Sequence, residues 1–281
     1  MNKLRGWEWG YGLVCLLSAC GDDRAKSADL PLEVPPVTDG SWYRPNVTST
    51  WQWQLTGALN TSYDVELYDI DLFESDASLI GSLKAEGRKV ICYFSAGSSE
   101  EFRPDVGNFP DNVMGNALDG WEGERWLDIR SQAVVTVMTR RLDLAQSKGC
   151  DGVEPDNVDG FANDTGFDLS SDDQLAYNRF LANEAHRRNL TVGLKNDGDQ
   201  VTQLLSYFDF NLNEECHAYD ECDVLAPFVA AGKPVFNAEY PEDTSGATTL
   251  AASVCPSAAV AQLRTLILPL DLDDSFRVSC D

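Results

Sequence analysis

The stretch CDGVEPDNVDGF, residues 150–161, sets Asp151, Glu154 and Asp156 within six positions. In an extended chain alternate side chains share a face, so Glu154 and Asp156 point the same way. Carboxyl groups held that close raise each other's pKa, which destabilises a fold unless chemistry uses the arrangement. Glycosidic bond cleavage is chemistry of that kind. One carboxylic acid protonates the leaving oxygen, and a second carboxylate attacks the anomeric carbon or activates water to do so.

Similar groups recur where other short apolar runs end: Asp69, Tyr93, Lys195 with Asp197, Glu214 with Glu215, and Asn237 with Glu239. Asp156 as nucleophile and Glu214 as acid/base form the preferred pair, and Lys195, between them in strand order, offers a countercharge. Glu214 and Glu215 are adjacent, so one of them faces inward, Glu214 by preference. Glu239 is an alternative acid. Asp69, Tyr93, Glu154, Lys195, Asn237 and Glu239 are candidate substrate ligands, and Trp53 a candidate stacking platform. Trp51, Trp121 and Trp126 share that option with a place in the core. Each acid also has a plain reading, Asp156 as a loop cap and Lys195 as a structural ion-pair partner. Only His186 and His217 occur, and no ordered ligand spacing appears. Zinc is therefore not expected, and a divalent-metal site built on the acids is a lesser reading.

These groups need elements to present them. Residues 50–57 read as a short strand and 63–73 as an alternating one. A short helix ends at Gly87, and 88–97 is a near-continuous apolar run, as in a strand buried on both faces. Residues 98–127 read as a long loop. A helical stripe through Val134, Val137, Met138, Leu142 and Ala145 ends at Gly149. The opening stretch follows as strand four, then a helix from the capping-box spacing SDDQ (171–174) to about Arg188. Strands at 190–197, 208–215 and 233–240 alternate with helices near 200–206 and 224–232, and 258–274 reads as a helix running into strand eight. Strands separated by helices pair in parallel, and eight such units over about 230 residues match a (β/α)8 TIM barrel as one domain, residues 42–281. An open doubly wound sheet is the alternative, but no GxGxxG or Walker pattern appears. In the barrel, chemistry belongs at the C-terminal strand ends, where these groups lie.

The 281-residue chain is 43% hydrophobic with a net charge of −25. That charge repels nucleic acid and favours a polycation. Residues 1–19 read as a signal peptide: Lys3 and Arg5 precede an apolar run too short to span a bilayer permanently. LSAC at 17–20 is similar to the bacterial lipoprotein signal, which would lipidate Cys20. Residues 20–41 then read as a flexible tether. The expected location is that of an exported, membrane-anchored lipoprotein facing the periplasm or cell exterior, touching the membrane only through that anchor, and monomeric. Export makes disulfides expected. Cys216 could pair with Cys222 and Cys255 with Cys280, while Cys92 and Cys150 pair or remain buried thiols.

Several motifs in register resemble the endo-α-1,4-polygalactosaminidase family of glycoside hydrolases, family 114. They are WQWQLTG, YDVELYDIDLF, VICYFSAGSSEEFRPD, GCDGVEPDNVDGF, GLKND, NEECHAYDEC and VFNAEY, over roughly residues 42–275. The resemblance implies a (β/α)8 barrel that cleaves α-1,4-linked galactosamine polymers internally without a cofactor. Its catalytic acids would be the aspartate of PDN, Asp156, and the glutamate of NExC, Glu214. A cationic amino-sugar polysaccharide fits the acidic charge. The competing class is a non-catalytic glycan-binding surface lipoprotein on the same barrel.

Overall fold

The computed structural model describes residues 26–241 and 243–280. The expected signal peptide and Cys20 lie outside the described residues. Eight parallel strands follow one another around a curled sheet: β1 (Trp51–Gln54), β2 (Leu67–Asp71), β3 (Lys89–Ser95), β7 (Gly152–Asp156), β8 (Thr191–Lys195), β9 (Phe210–Glu214), β10 (Val235–Glu239) and β11 (Arg264–Ile267). A short β12 (Val278–Ser279) adds antiparallel to β11. The architecture is consistent with a TIM barrel.

Backbone ladders join each strand to the next. Between β1 and β11 the contact is made by other groups. The Trp51 indole N–H donates to the Arg264 carbonyl at 2.8 Å, and Leu55 and Thr56 N–H donate to the Leu272 carbonyl. Inside the curl, Trp51, Trp53, Leu67, Phe210, Phe236 and Leu266 form an apolar plug, with Trp51 and Phe236 ring centroids 5.0 Å apart. Strands buried on both faces explain the near-continuous apolar runs. Backbones approach closely here, and Gly152 shows why: a Cβ there would stand 2.0 Å from the Thr191 methyl.

The outer layer is uneven. Helices α1 (Ala77–Ala85), α2 (Gln132–Lys148), α3 (Ser171–Arg187) and α6 (Thr244–Ala261) are well developed, whereas α4 (Val201–Leu204) and α5 (Ala226–Ala230) are single turns. Among the described residues no helix is long and apolar enough to cross a membrane. Capping fixes the long ones. Ser131 accepts from Ala133 N–H to start α2, which stops at Gly149 in the left-handed region (φ 89°). The capping box of α3 is Ser170 with Asp173, one residue earlier than the spacing implied.

Four expectations are corrected. No helix separates β1 from β2, so the helical alternation is incomplete. The loop at 98–127 contains an antiparallel sheet of β4 (Ser98–Glu100), β5 (Met114–Ala117) and β6 (Glu124–Leu127). The last helix runs through 244–261, well ahead of residue 258; it is rich in small residues and contains Pro256, so its apolar stripe is faint. The tether expected to residue 41 is bound to the domain from residue 26. Lys26 and Ala28 exchange backbone bonds with Gln132 and Arg130, Arg179 donates to the Leu32 carbonyl, Tyr207 donates to that of Val34, and Asn183 holds the Pro35 carbonyl and the Val37 N–H.

Among the described residues three disulfides, Cys92–Cys150, Cys216–Cys222 and Cys255–Cys280, complete the scaffold. The first decides the pairing the sequence left open.

The bound N-terminal segment ends in an anchor at the strand N-termini, opposite the C-terminal ends. Trp42 stacks on His186 at 4.1 Å and donates its indole N–H to Asp209, whose carboxylate also takes Thr191 and the His186 ring. Replacing Trp42 by alanine should destabilise the fold by about 3 kcal/mol through lost packing. Urea unfolding measures this, and specific activity of the remaining folded protein should be unchanged.

Candidate active site

Lys195 closes β8 with its side chain aimed into the curl, where Nζ lies 4.8 Å from the Trp53 ring centroid. Its ammonium meets three carboxyl groups: Glu154 Oε1 at 3.0 Å, Asp156 Oδ1 at 3.1 Å and Glu214 Oε2 at 3.4 Å. Burial opposes the charge on Lys195, but Asp156, Glu154 and Glu214 outweigh it and hold its pKa well above the ordinary lysine range. Because both contacts share one nitrogen, Asp156 Oδ1 and Glu214 Oε2 stand at most 6.5 Å apart, the sum of the two distances.

Asp156 is the last residue of β7. Its Oδ1 accepts the Asn157 N–H at 2.7 Å, and Oδ2 accepts the Tyr93 hydroxyl at 3.0 Å. The Asp156 carbonyl takes the N–H groups of Ala96 and Gly97, and a Cβ on Gly97 would stand 1.7 Å from the Asn157 carbonyl oxygen. Only glycine allows that pass. Glu214 is the last residue of β9. Tyr240 donates to its Oε1 at 2.5 Å and the Asn196 amide to its Oε2 at 3.2 Å. Glu215 takes the left-handed conformation (φ 59°), and its N–H bonds the Ala238 carbonyl. Of the adjacent acids, Glu214 faces the cavity.

The cavity is an open cleft of about 950 Å³ lined by Asp156, Glu214, Lys195 and Tyr93; Trp53 reaches its floor but is 1% exposed within the apolar plug, so the expected stacking platform is core instead. The antiparallel sheet makes one wall with Glu124 and Trp126, and Trp121 stands half exposed on the rim. Trp51 is core.

Four candidate substrate ligands lie below the cleft floor, each 0–1% exposed: Asp69, Glu154, Asn237 and Glu239. Asn237 bonds Asn213 and Thr265, and Glu239 accepts from Asn237 and the His217 N–H. These bonds fix strand ends, which removes Glu239 as an alternative acid. Asp69 and Glu154 abut. Asp69 Oδ1 and Glu154 Oε2 are both buried acceptors without a donor, so one proton shared between the carboxyl groups satisfies both. Burial raises the Asp69 pKa to about 8 and lifts Glu154 well above the usual range.

Sequence reasoning missed Tyr240 and Asn196, each one residue beyond a strand whose end had been read. It also missed the cation that organises the wall. Arg103 makes a bidentate pair with Asp71 (2.9 and 2.6 Å) and meets Glu100 at 2.7 Å. The Cys216, His217 and Cys222 ligand atoms lie within 4.8 Å of one another, but both sulfurs are in a disulfide, so no thiolate is free for a metal.

The folded state holds a proton at Asp69 that the unfolded chain releases above pH 4 or so. Stability should therefore fall as pH rises from about 4 to about 8, the folded Asp69 value. Asp69→Asn should fold and show a shallower decline over that window, read from melting temperatures at several pH values.

Residues 33–281 match glycoside-hydrolase family GH114. A search of curated proteins gives no match. Among solved structures, Aspergillus fumigatus Ega3 in complex with galactosamine is 46% identical with a TM-score of 0.82, covering 86% of this chain and 99% of that one. The glycoside hydrolase domain of PelA from Pseudomonas aeruginosa has a TM-score of 0.66 at 13% identity, covering 82% and 98%, a likeness of fold alone. With a family match over nearly the whole chain and two carboxyl groups meeting in its cleft, this protein is a glycoside hydrolase of family GH114.

Proposed function

We propose that the protein cleaves α-1,4-linked galactosamine-containing polysaccharide internally, with Asp156 as nucleophile, Glu214 as acid/base, and retention of anomeric configuration. The observation that supports the mechanism is the shared contact of Asp156 and Glu214 with Lys195 Nζ, which holds their two contacting oxygens within 6.5 Å of each other. Retaining enzymes hold the two groups about 5–5.5 Å apart, and inverting ones about 6.5–9.5 Å. An open cleft with both groups on its floor suits an internal attack on a long chain.

In the first step an Asp156 oxygen forms a bond to the anomeric carbon while the glycosidic C–O bond breaks. Glu214, in its acid form, gives its proton to the departing oxygen. In the second step Glu214 takes a proton from water, whose oxygen displaces Asp156 and restores both groups. Lys195 offsets the negative charge of Asp156 in the free enzyme, and Tyr93 holds its other oxygen in place. The proton shared by Asp69 and Glu154 limits the negative charge under Lys195, leaving its ammonium available to Asp156.

The substrate assignment draws on the galactosamine in the Ega3 complex and on charge complementarity with the acidic chain. We further propose an exported lipoprotein anchored at Cys20 as its cellular form, closed into a complete eight-stranded barrel. The three disulfides fit an oxidising compartment.

New reducing ends should appear when the purified domain meets polymeric galactosamine, with none from neutral glucans. Proton NMR of the first products should show the α-anomer before mutarotation; an initial β-anomer contradicts retention. Asp156→Asn should lower kcat by roughly a thousandfold or more with an unchanged melting profile.

A further inference from the structure

The bound N-terminal segment has a direction. Ser27 bridges Ser131, the cap of α2, and the Lys26 carbonyl accepts the Gln132 N–H at 2.8 Å. From there the segment descends beside α3. Arg179 holds Leu32, Asn183 holds Pro35 and Val37, and Asn189 Oδ1 accepts the Ser41 N–H at 3.2 Å. Helix α3 starts beyond the loop that leaves β7 and ends just ahead of β8, so it runs from the C-terminal strand ends to the N-terminal ones. The segment runs parallel to it. Residue 26 therefore stands at the level of the cleft, and Trp42, stacked on His186, at the opposite end.

That direction bears on the lipid anchor proposed at Cys20. Five residues, 21–25, lie between Cys20 and Lys26. Whatever their conformation, they span at most about 20 Å. A domain of this size is roughly 45 Å across. A chain of that length, joined at the level of the cleft, cannot bring the opposite end of the domain against the bilayer. What meets the lipid is either the cleft face or the flank formed by α2 and α3.

Exposed side chains separate these two. Among the described residues six large apolar side chains stand exposed: Phe102, Trp121, Tyr219, Val224, Leu270 and Val260. All but Val260 sit on segments beyond C-terminal strand ends. Phe102 and Trp121 belong to the wall inserted after β3, Tyr219 and Val224 to the segment after β9, and Leu270 to the one after β11. Tyr219, 69% exposed, and Val224 do not line the cleft, so stacking on a sugar there does not account for them. The flank instead exposes charge, at Arg140, Asp143 and Arg187. Apolar side chains gathered on one face mark a surface that meets protein or lipid, and aromatic ones favour the headgroup layer.

Resting on the anchored-lipoprotein reading above, we propose that the cleft face is turned toward the membrane that carries the anchor, with its apolar rim against a zwitterionic lipid surface. The exposed rim acids Asp119 and Asp271 disfavour anionic headgroups. Substrate then enters along the membrane plane. The enzyme trims polymer lying on, or emerging from, its own membrane in preference to polymer arriving from bulk solution.

The test places one dye on the full chain, acylated in a bacterial host and reconstituted into phosphatidylcholine–phosphatidylethanolamine vesicles. The dye replaces Asp223 or Val260 through an azide side chain, which leaves the cysteines untouched. Asp223 lies in the segment after β9, on the cleft face, and Val260 at the end of α6, ahead of β11 and at the opposite end. Energy transfer to a headgroup-labelled acceptor lipid should be roughly twofold or more efficient from 223 than from 260, because the width of the domain separates them. Equal transfer, or stronger transfer from 260, would overturn the orientation. A chain with no acyl group on Cys20 by mass spectrometry would overturn the anchor reading and the orientation with it, and leave hydrolysis by the purified domain as a separate result. Glu221 and Ala259 form a second pair of label sites where melting curves show that a label impairs folding.

Discussion

A buried ammonium with three carboxyl groups around it is the constraint on which the structure rests. Lys195 is 3% exposed, and an unpaired charge at that depth is costly. Glu154, Asp156 and Glu214 repel one another and would spread apart without it. Each side makes the other tolerable. Removing the lysine leaves crowded carboxylates, and removing the acids strands a cation among aromatic rings, with Trp53 at 4.8 Å and Tyr93 at 5.9 Å.

The fold serves that contact from two directions. The curled sheet brings β7, β8 and β9 side by side in parallel, so their last residues converge on one end. Below them an aromatic and aliphatic plug excludes water, which strengthens each electrostatic contact above it. From the side, the antiparallel sheet at 98–127 closes one wall, tied to β2 through Arg103 and Asp71 and to β3 through Arg141 and the Ser95 carbonyl. The tight pass of Gly97 over Asn157 joins this wall to the backbone of Asp156. A shift of the wall is therefore felt at Asp156.

Much of this was legible in the chain. Parallel strands buried on both faces leave unmistakable apolar runs, and their C-terminal residues are the ones that can meet, so Asp156, Glu214, Lys195 and Tyr93 could be placed from order alone. Depth was not legible. Asp69 and Glu154 are the same residue types as the cleft acids, and a step of two residues along a strand, about 7 Å, separates floor from foundation. The Cys92–Cys150 bridge joins positions 58 apart and needed the fold to bring them together. Residues 26–41 carry no period because side chains of Asn183, Arg179 and Tyr207 receive their backbone, with no sheet partner to impose one. The helix at 244–261 hides in alanine, serine and threonine, with a proline near its end.

The central claim is that Asp156 and Glu214 meet one sugar from opposite sides while Lys195 steadies the first. A crystal structure of the Glu214→Gln variant with a bound galactosamine oligosaccharide examines it most directly. The predicted result places the anomeric carbon about 3–3.5 Å from an Asp156 oxygen, with the glycosidic oxygen within hydrogen-bond reach of residue 214. An oligosaccharide seated elsewhere, or one whose anomeric carbon faces neither group, would contradict the account.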